Sequence, residues 1–487
     1  MSATPASVLG GIAVGQTVER FELTGAWLVD PVSGREGPGE VVVSDGVLEA
    51  VTWLDGAEAE AVSASGVVVA PGFLDLHAHF REPGFEDAET IASGCAAAAH
   101  GGFTSVALMP NTQPALDEPG VLERIRASGR ASGSPVEVLA YGAVSVGRSG
   151  ETLAALGELA DAGVVGFSDD GAAVRSPRLL DSALRYSAML GLPIVEHAED
   201  PALTAGAEAA EGYVASVLGL APWPEAGEVA AVARDLAVLA DVLRDEPRAR
   251  LHLTHLSTAA ALDLVRAAKA RGLPVTCDVT PHHLALSDEW IAGARRWAWE
   301  ALDDGGRGRD PWADGVLVAW PFDTALRVNP PLRPASDAAA CVAALLDGTA
   351  DAVATDHAPH TAMDKEVEFG AARPGISGIE TALGVLLAAV DAGRLPLAGA
   401  VAALTSGPAA VLRSWPRLAD SAVARPRGLV EGALADLVVF DRADAWPVSA
   451  ASLRSRGTNS PFLGRSLPGR VLLTIAAGRL AYEDADA

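Results

Sequence analysis

Between Pro71 and about Trp415, short apolar runs alternate with longer Ala/Leu-rich stretches of helical character, the pattern of parallel βα units. The candidate strands are GFLDLHAHF, FTSVALMPN, VEVLAYGAV, VVGFSDD, PIVEHAE, RLHLTHLS, PVTCDVTPHH and DAVATDH. Eight such units predict an α/β fold, a TIM-like (β/α)8 barrel whose chemistry lies at the C-terminal strand ends. The flanks read differently. FELTGAWLVD, GEVVVSDGVLEAV and SGVVVAPG before Pro71, and ADLVVFDR and GRVLLTIAAGRLAYED after Gly428, are short strands broken by Gly and Asp. Residues 1–70 and 416–487 are therefore expected to pair into one small composite β-sandwich domain, with residues 71–415 forming the barrel.

Polar residues gather at the same end of these runs. PGFLDLHAHFRE closes with His77 and His79, spaced so that both project from one side of a strand and can grip one ion. Asp169 and Asp170 close VVGFSDDG, His197 closes PIVEHAED, His255 closes RLHLTHLS, and Asp356 closes DAVATDHAPH. A chance scatter would not keep choosing one end, so these groups are expected to meet. Asp169 and Asp170 point to opposite faces if the segment is extended, so at most one of them faces a metal.

Composition narrows the class. A chain of 487 residues with 49% hydrophobic content can bury a large core and holds more than one domain. Its formal charge of −27 argues against a nucleic-acid surface or an anionic membrane. Cys95, Cys277 and Cys341 are too scattered for a disulfide framework or a thiolate zinc site, and read as core residues of a cytoplasmic protein. No run offers the roughly 18 uncharged apolar residues of a membrane helix, and the N-terminus lacks a secretory signal.

The motifs HAHFREPG, MPNTQPALD, FSDDG, EHAED, THLST, TPHH, NPPLR, ATDHAPH and PGISGIET stand in an order that resembles the dihydroorotases of the amidohydrolase superfamily, in their class of long bacterial enzymes. The resemblance runs from about Leu23 to Tyr482. It implies a barrel with a composite β-sandwich, and reversible cyclisation of N-carbamoyl-L-aspartate to (S)-dihydroorotate plus water in de novo pyrimidine biosynthesis. It also implies Zn2+, one or two per subunit. His77 and His79 would hold one ion with Asp356, and His197 and His255 a second, with Asp170 as the bridge. Much of the superfamily bridges its metals with a carbamylated lysine on the fourth strand; no lysine lies near VVGFSDDG. An aspartate reaches less far, so a mononuclear site stays open.

Opening a cyclic amide needs an activated water, a Lewis acid on the carbonyl and a proton shuttle to the nitrogen; zinc supplies the first two. Asp356 is the expected general base and acid. Arg81 offers a planar donor fork for the substrate carboxylate. The resemblance adds His79, Asn111 and His360 to that pocket, and Asn329, Pro374 and Gly375 around the ring amide. His282 and His283 are read as supporting groups rather than ligands.

A Trp-rich insertion at about 289–325 departs from the family and carries Trp290, Trp297, Trp299, Trp312 and Trp320. A lid, a subunit contact or a docking surface is one reading, and a local helical cap packed on the barrel is the other. Related cyclic amidases (hydantoinase, dihydropyrimidinase, allantoinase) and a catalytically dead scaffold for aspartate transcarbamoylase are the competing functions. Arg81 speaks against the first group and the full ligand set against the second. A homodimer and a complex with aspartate transcarbamoylase stay open.

Overall fold

The computed structural model describes residues 12–60, 62–64, 66–303 and 310–485. Strands Phe73–Ala78, Phe103–Leu108 and Glu137–Ala140 pair in parallel, as do Ile194–Glu196, Leu251–Leu253, Val275–Val279 and Ala352–Val353. The fourth member, around Phe167, joins the two sets: it bridges Gly142 and Ile194, Val165 N–H donates to the Ala140 carbonyl at 3.0 Å, and Val195 N–H donates to the Phe167 carbonyl at 2.8 Å. Gly166 lets Pro193 and Tyr141 close on the backbone there, where a Cβ would meet them at 2.9 and 3.1 Å. The ring closes between its first and eighth members, where the His79 N–H donates to the His357 carbonyl at 2.8 Å. Asp75 strengthens that seam by accepting the Thr355 N–H at 2.9 Å and its hydroxyl at 2.5 Å.

The two ends of the chain meet in one seven-stranded sheet. Val67–Pro71 is the seam, parallel to Arg20–Asp30 on one side and antiparallel to Leu437–Pro447 on the other. Arg35–Ser44 and Val47–Trp53 continue one flank, and Ser466–Ala476 and Arg479–Glu483 the other. The flanks fold towards each other: the turns at Gly46 and Gly478 are in contact, and Val18 N–H donates to the Gly478 carbonyl at 3.0 Å. Alternation along the strands decides what each face covers. Val69, Leu437 and Val439 pack with Leu28 and Val41 in the core of this sheet, whereas Val68, Ala70, Val438 and Phe440 join the core of the barrel. Buried Arg427 ties the two together, donating to the Gly72 carbonyl at 3.2 Å and to Thr104 Oγ1 at 2.7 Å.

Part of the insertion packs against the C-terminal segment, and Trp312 packs on Tyr213 with ring centres 6.0 Å apart. Trp290 is fully buried, Trp297 stacks on Trp299 with ring centres 5.2 Å apart, and Phe462 packs against Trp290 and Trp297. The Arg465 guanidinium lies 5.1 Å from the ring centres of Trp290 and Trp297. Trp320 is the exception, 90% exposed. Part of the insertion, residues 304–309, lies outside the described residues. The three cysteines are buried and free, and no helix among the described residues is long and apolar enough to cross a membrane.

Candidate active site

Four barrel members deliver a polar residue at or just beyond the C-terminal end of their strands. His77 closes the first strand, His197 follows Ile194–Glu196, His255 follows Leu251–Leu253, and Asp356 follows Ala352–Val353. Parallel strands place these ends on one rim, so residues nearly 280 apart in sequence meet. His77 Nε2 lies 3.2 Å from His79 Nε2, and Asp356 Oδ1 is 3.1 Å from His79 Nε2 and 3.4 Å from His77 Nε2. Across the rim, His197 Nδ1 is 2.9 Å from His255 Nε2.

Asp170 stands between the two histidine pairs and turns one oxygen to each. Its Oδ2 is 3.3 Å from His77 Nε2 and 3.5 Å from His79 Nε2, and its Oδ1 is 3.3 Å from His255 Nε2 and 3.5 Å from His197 Nδ1. Asp169 turns away, accepting the backbone N–H of Ser145 at 3.0 Å and the Ser145 hydroxyl.

Three of the imidazoles are aimed by a group on their far nitrogen. His77 Nδ1 contacts Thr254 Oγ1 at 2.7 Å, His79 Nδ1 contacts Asn111 Oδ1 at 2.8 Å, and His197 Nε2 contacts Glu199 Oε2 at 2.9 Å. Supporting contacts of this kind orient metal-binding histidines and set which nitrogen is free. His77, His79 and Asp356 form one set whose ligand atoms all lie within 4.8 Å of one another, and His77, Asp170 and His255 form another. Neutral imidazoles with carboxylates suit a divalent transition metal, so the donor set fits a metal centre.

The electrostatics agree. Burial opposes ionisation of Asp170 and Asp356, yet the neighbouring imidazoles hold both carboxyls below their ordinary range. Burial would strip the proton from His77, but Asp170 and Asp356 push its pKa up to about 9; His197, beside Asp170 and Glu199, is pushed up to about 10. The cluster is thus a place that attracts positive charge, which protons or a metal ion can supply.

The cavity above this cluster has a volume of about 370 Å³, and Arg81, Asn111, Asn329, His360, Pro374 and Gly375 all line it. Arg81 is held by its Nε, which donates to the Pro359 carbonyl at 3.0 Å, and its Nη2 lies 3.3 Å from His360 Nε2. Burial lowers its pKa to about 10, which leaves it charged at neutral pH, while burial and the Arg81 charge bring His360 down to about 3. Asn329 differs from expectation in one respect: its Nδ2 donates to Glu199 Oε2 at 3.0 Å, so that donor is engaged within the protein. His283 contacts Thr280 Oγ1 at 2.9 Å and the Pro330 carbonyl at 3.1 Å, whereas the buried His282 Nε2 has no protein partner among the described residues.

Residues 66–259 match the family described as dihydro-orotase-like. A dihydroorotase of Pelotomaculum thermopropionicum is 42% identical over 465 residues, covering 95% of this chain and 98% of its own. One of Anaeromyxobacter dehalogenans is 43% identical over the same length and shares. The chain belongs to the dihydroorotase family. In fold it is similar to L-hydantoinase (dihydropyrimidinase) of Arthrobacter aurescens, at a TM-score of 0.73, 26% identity and coverage of 95% of this chain and 96% of that one. It is likewise similar to dihydropyrimidinase of Brevibacillus agri, at a TM-score of 0.70, 20% identity and coverage of 96% and 95%.

Several supporting groups of this dihydroorotase family member escaped the reading by motif. Glu199, two residues past His197 in EHAED, aims that histidine and anchors Asn329. Its carboxyl, which burial would raise, is brought down to about 2 chiefly by His197. Thr254 in THLST relays His77 to Asp278, to which it donates at 3.2 Å, and Asp278 also accepts the His255 N–H at 2.6 Å. Ser257 and Thr258 of the same motif both donate to buried Glu228, fixing the start of helix Ala259–Ala270. Thr254, Ser257, Thr258 and Glu199 lie within three residues of a ligand, whereas Asp278 and Glu228 adjoin none, and nothing in the sequence says what any of them touches.

Proposed function

We infer that the chain is a metal-dependent dihydroorotase that interconverts N-carbamoyl-L-aspartate and (S)-dihydroorotate plus water in pyrimidine biosynthesis. The observation that carries the reading is a cationic Arg81, in no ion pair among the described residues, lining the same cavity as His79, His197, His255, Asp170 and Asp356 of the histidine–aspartate cluster. A ring substrate without a carboxylate would leave that guanidinium uncompensated in a half-buried site.

The proposed ligands are His77, His79 and Asp356 for one metal and His197 and His255 for a second, with Asp170 between them; zinc is the proposed metal. When bound, the metal supplies Lewis acidity, polarising the scissile carbonyl and making water easier to deprotonate. Arg81, Asn111 and His360 bind the substrate carboxylate, which fixes the ring over the cluster. Asp356 accepts the proton of the attacking water and returns it to the ring nitrogen as the C–N bond breaks and the C–O bond forms. In cyclisation the same carboxyl runs the transfer backwards. Asn329 and the backbone at Pro374 and Gly375 hold the ring amide edges.

The test is to purify the chain, quantify metals per subunit, and follow L-dihydroorotate beside dihydrouracil, hydantoin and allantoin. Turnover of dihydroorotate alone, with about one or two zinc per chain, is expected. Preferential turnover of an uncarboxylated ring would overturn the substrate assignment. A cytoplasmic location, a homodimer and association with aspartate transcarbamoylase are further proposals, the last two read by mass in solution with and without the partner.

A further inference from the structure

Seven non-glycine residues have positive φ among those described, and four of them line or form the cavity cluster: Arg81, His255, Asp356 and Arg148. Such backbone strain concentrates where a side chain must be aimed. Three of the four already have a place in the reading above. Arg148, at φ 57 in the loop after Glu137–Ala140, does not.

That loop is pinned from both sides. Ser145 donates twice to Asp169, Gly147 N–H donates to Asp117 Oδ2 at 2.7 Å, and Arg148 Nε donates to the Asp169 carbonyl at 3.3 Å. The tandem aspartate thus serves two walls, Asp170 facing the histidines and Asp169 holding the loop that carries Arg148. The terminal N–H groups of Arg148 have no protein acceptor among the described residues, and the side chain faces the cavity, unlike Arg373, which pairs with Asp364 at 3.1 Å. Gly171 makes room for this: Arg148 Nη2 and Asn111 Nδ2 come within 3.0 and 3.1 Å of the point where a Cβ would stand. Two donors, Arg148 Nη2 and Asn111 Nδ2, therefore converge beside Asp170.

The two substrates of the proposed reaction differ in charge. Dihydroorotate carries one carboxylate and N-carbamoyl-L-aspartate carries two, and the cavity offers two guanidinium groups that are not in ion pairs among the described residues. Resting on the functional reading above, we propose that Arg148 adds a charged donor, beside the proposed metal, for the second carboxylate, the one that exists only in the open form and becomes the ring carbonyl. Arg81 then recognises what the two substrates share, and Arg148 what distinguishes them.

The consequence is a split in Michaelis constants. The overall equilibrium ties the two kcat/KM values together, so any substitution must change both by the same factor. For Arg148→Gln, KM for N-carbamoyl-L-aspartate is expected to rise about ten-fold or more while KM for dihydroorotate stays within about two-fold, the loss of a charge-assisted contact made by one substrate only. Loss in the hydrolytic direction then falls on kcat. Arg148→Lys keeps the charge but not the fork and should recover part of the change; it reads the same split if the glutamine variant does not fold. Metal content equal to the parent's excludes damage to the histidine cluster. An equal rise in both constants, or no change in either, overturns the proposal. Absence of dihydroorotate turnover in the parent protein would instead overturn the functional reading itself.

Discussion

Asparagine at position 356 separates the two jobs proposed for that carboxylate. Asp356 has a left-handed backbone, φ 47, a region that asparagine tolerates about as well as aspartate, so the exchange should leave the main chain in place. It also preserves an oxygen near His79 Nε2, 3.1 Å away in the parent, and near His77 Nε2 at 3.4 Å. What disappears is the charge and the ability to take a proton. General-base catalysis by one positioned group is worth about 10²-fold to 10⁴-fold, so turnover in Asp356→Asn should fall by that range. In barrier height this is about 2.7 to 5.5 kcal/mol. The measurement is the initial rate in both directions, with metal quantified in the same sample and the rate repeated with added zinc. A rate within ten-fold of the parent's at equal metal content would refute the proton-transfer role. Full recovery on adding zinc would reduce Asp356 to a ligand.

Asp170→Asn should lower metal content to half or less, because both histidine pairs lose the charge between them, whereas Asp169→Asn should retain metal and raise KM by loosening the loop of Arg148; metal analysis with kinetics distinguishes them. Glu199→Gln removes the carboxylate that aims His197 at 2.9 Å, and metal affinity measured by chelator competition should fall about 10-fold to 100-fold. Asp288 provides a test by pH: burial, with a smaller contribution from Glu289, raises its pKa from 3.8 to about 7. The folded state thus holds its proton more tightly than the unfolded chain, and the parent loses stability as pH rises from about 4 to about 7. Asp288→Asn lacks that loss, so its stability advantage in denaturant unfolding should be absent near pH 4 and grow to a ceiling of about 4 kcal/mol above pH 7. An advantage that is the same at both ends would refute the assignment.

The sequence by itself determined what depends on local spacing. Eight apolar runs of strand length, five of them ending in a candidate ligand, follow from side-chain alternation and from the fact that parallel strands present one common end. The same-side projection of His77 and His79 follows from that geometry, whereas Asp169 and Asp170 face opposite ways at a turn, and the structure brings the six proposed ligands to one rim. Tertiary structure decided what depends on distant partners. That Val67–Pro71 joins the strands from the two ends of the chain is set by pairing across more than 360 residues. The tryptophans of the insertion were visible as composition, but their burial against Phe462 and Arg465 was not. Glu199, Thr254, Asp278 and Arg148 acquire meaning only from the atoms they touch. Alternation is a local property of the backbone and can be read from order alone; a hydrogen bond to a residue 100 positions away exists only once the chain has closed around it.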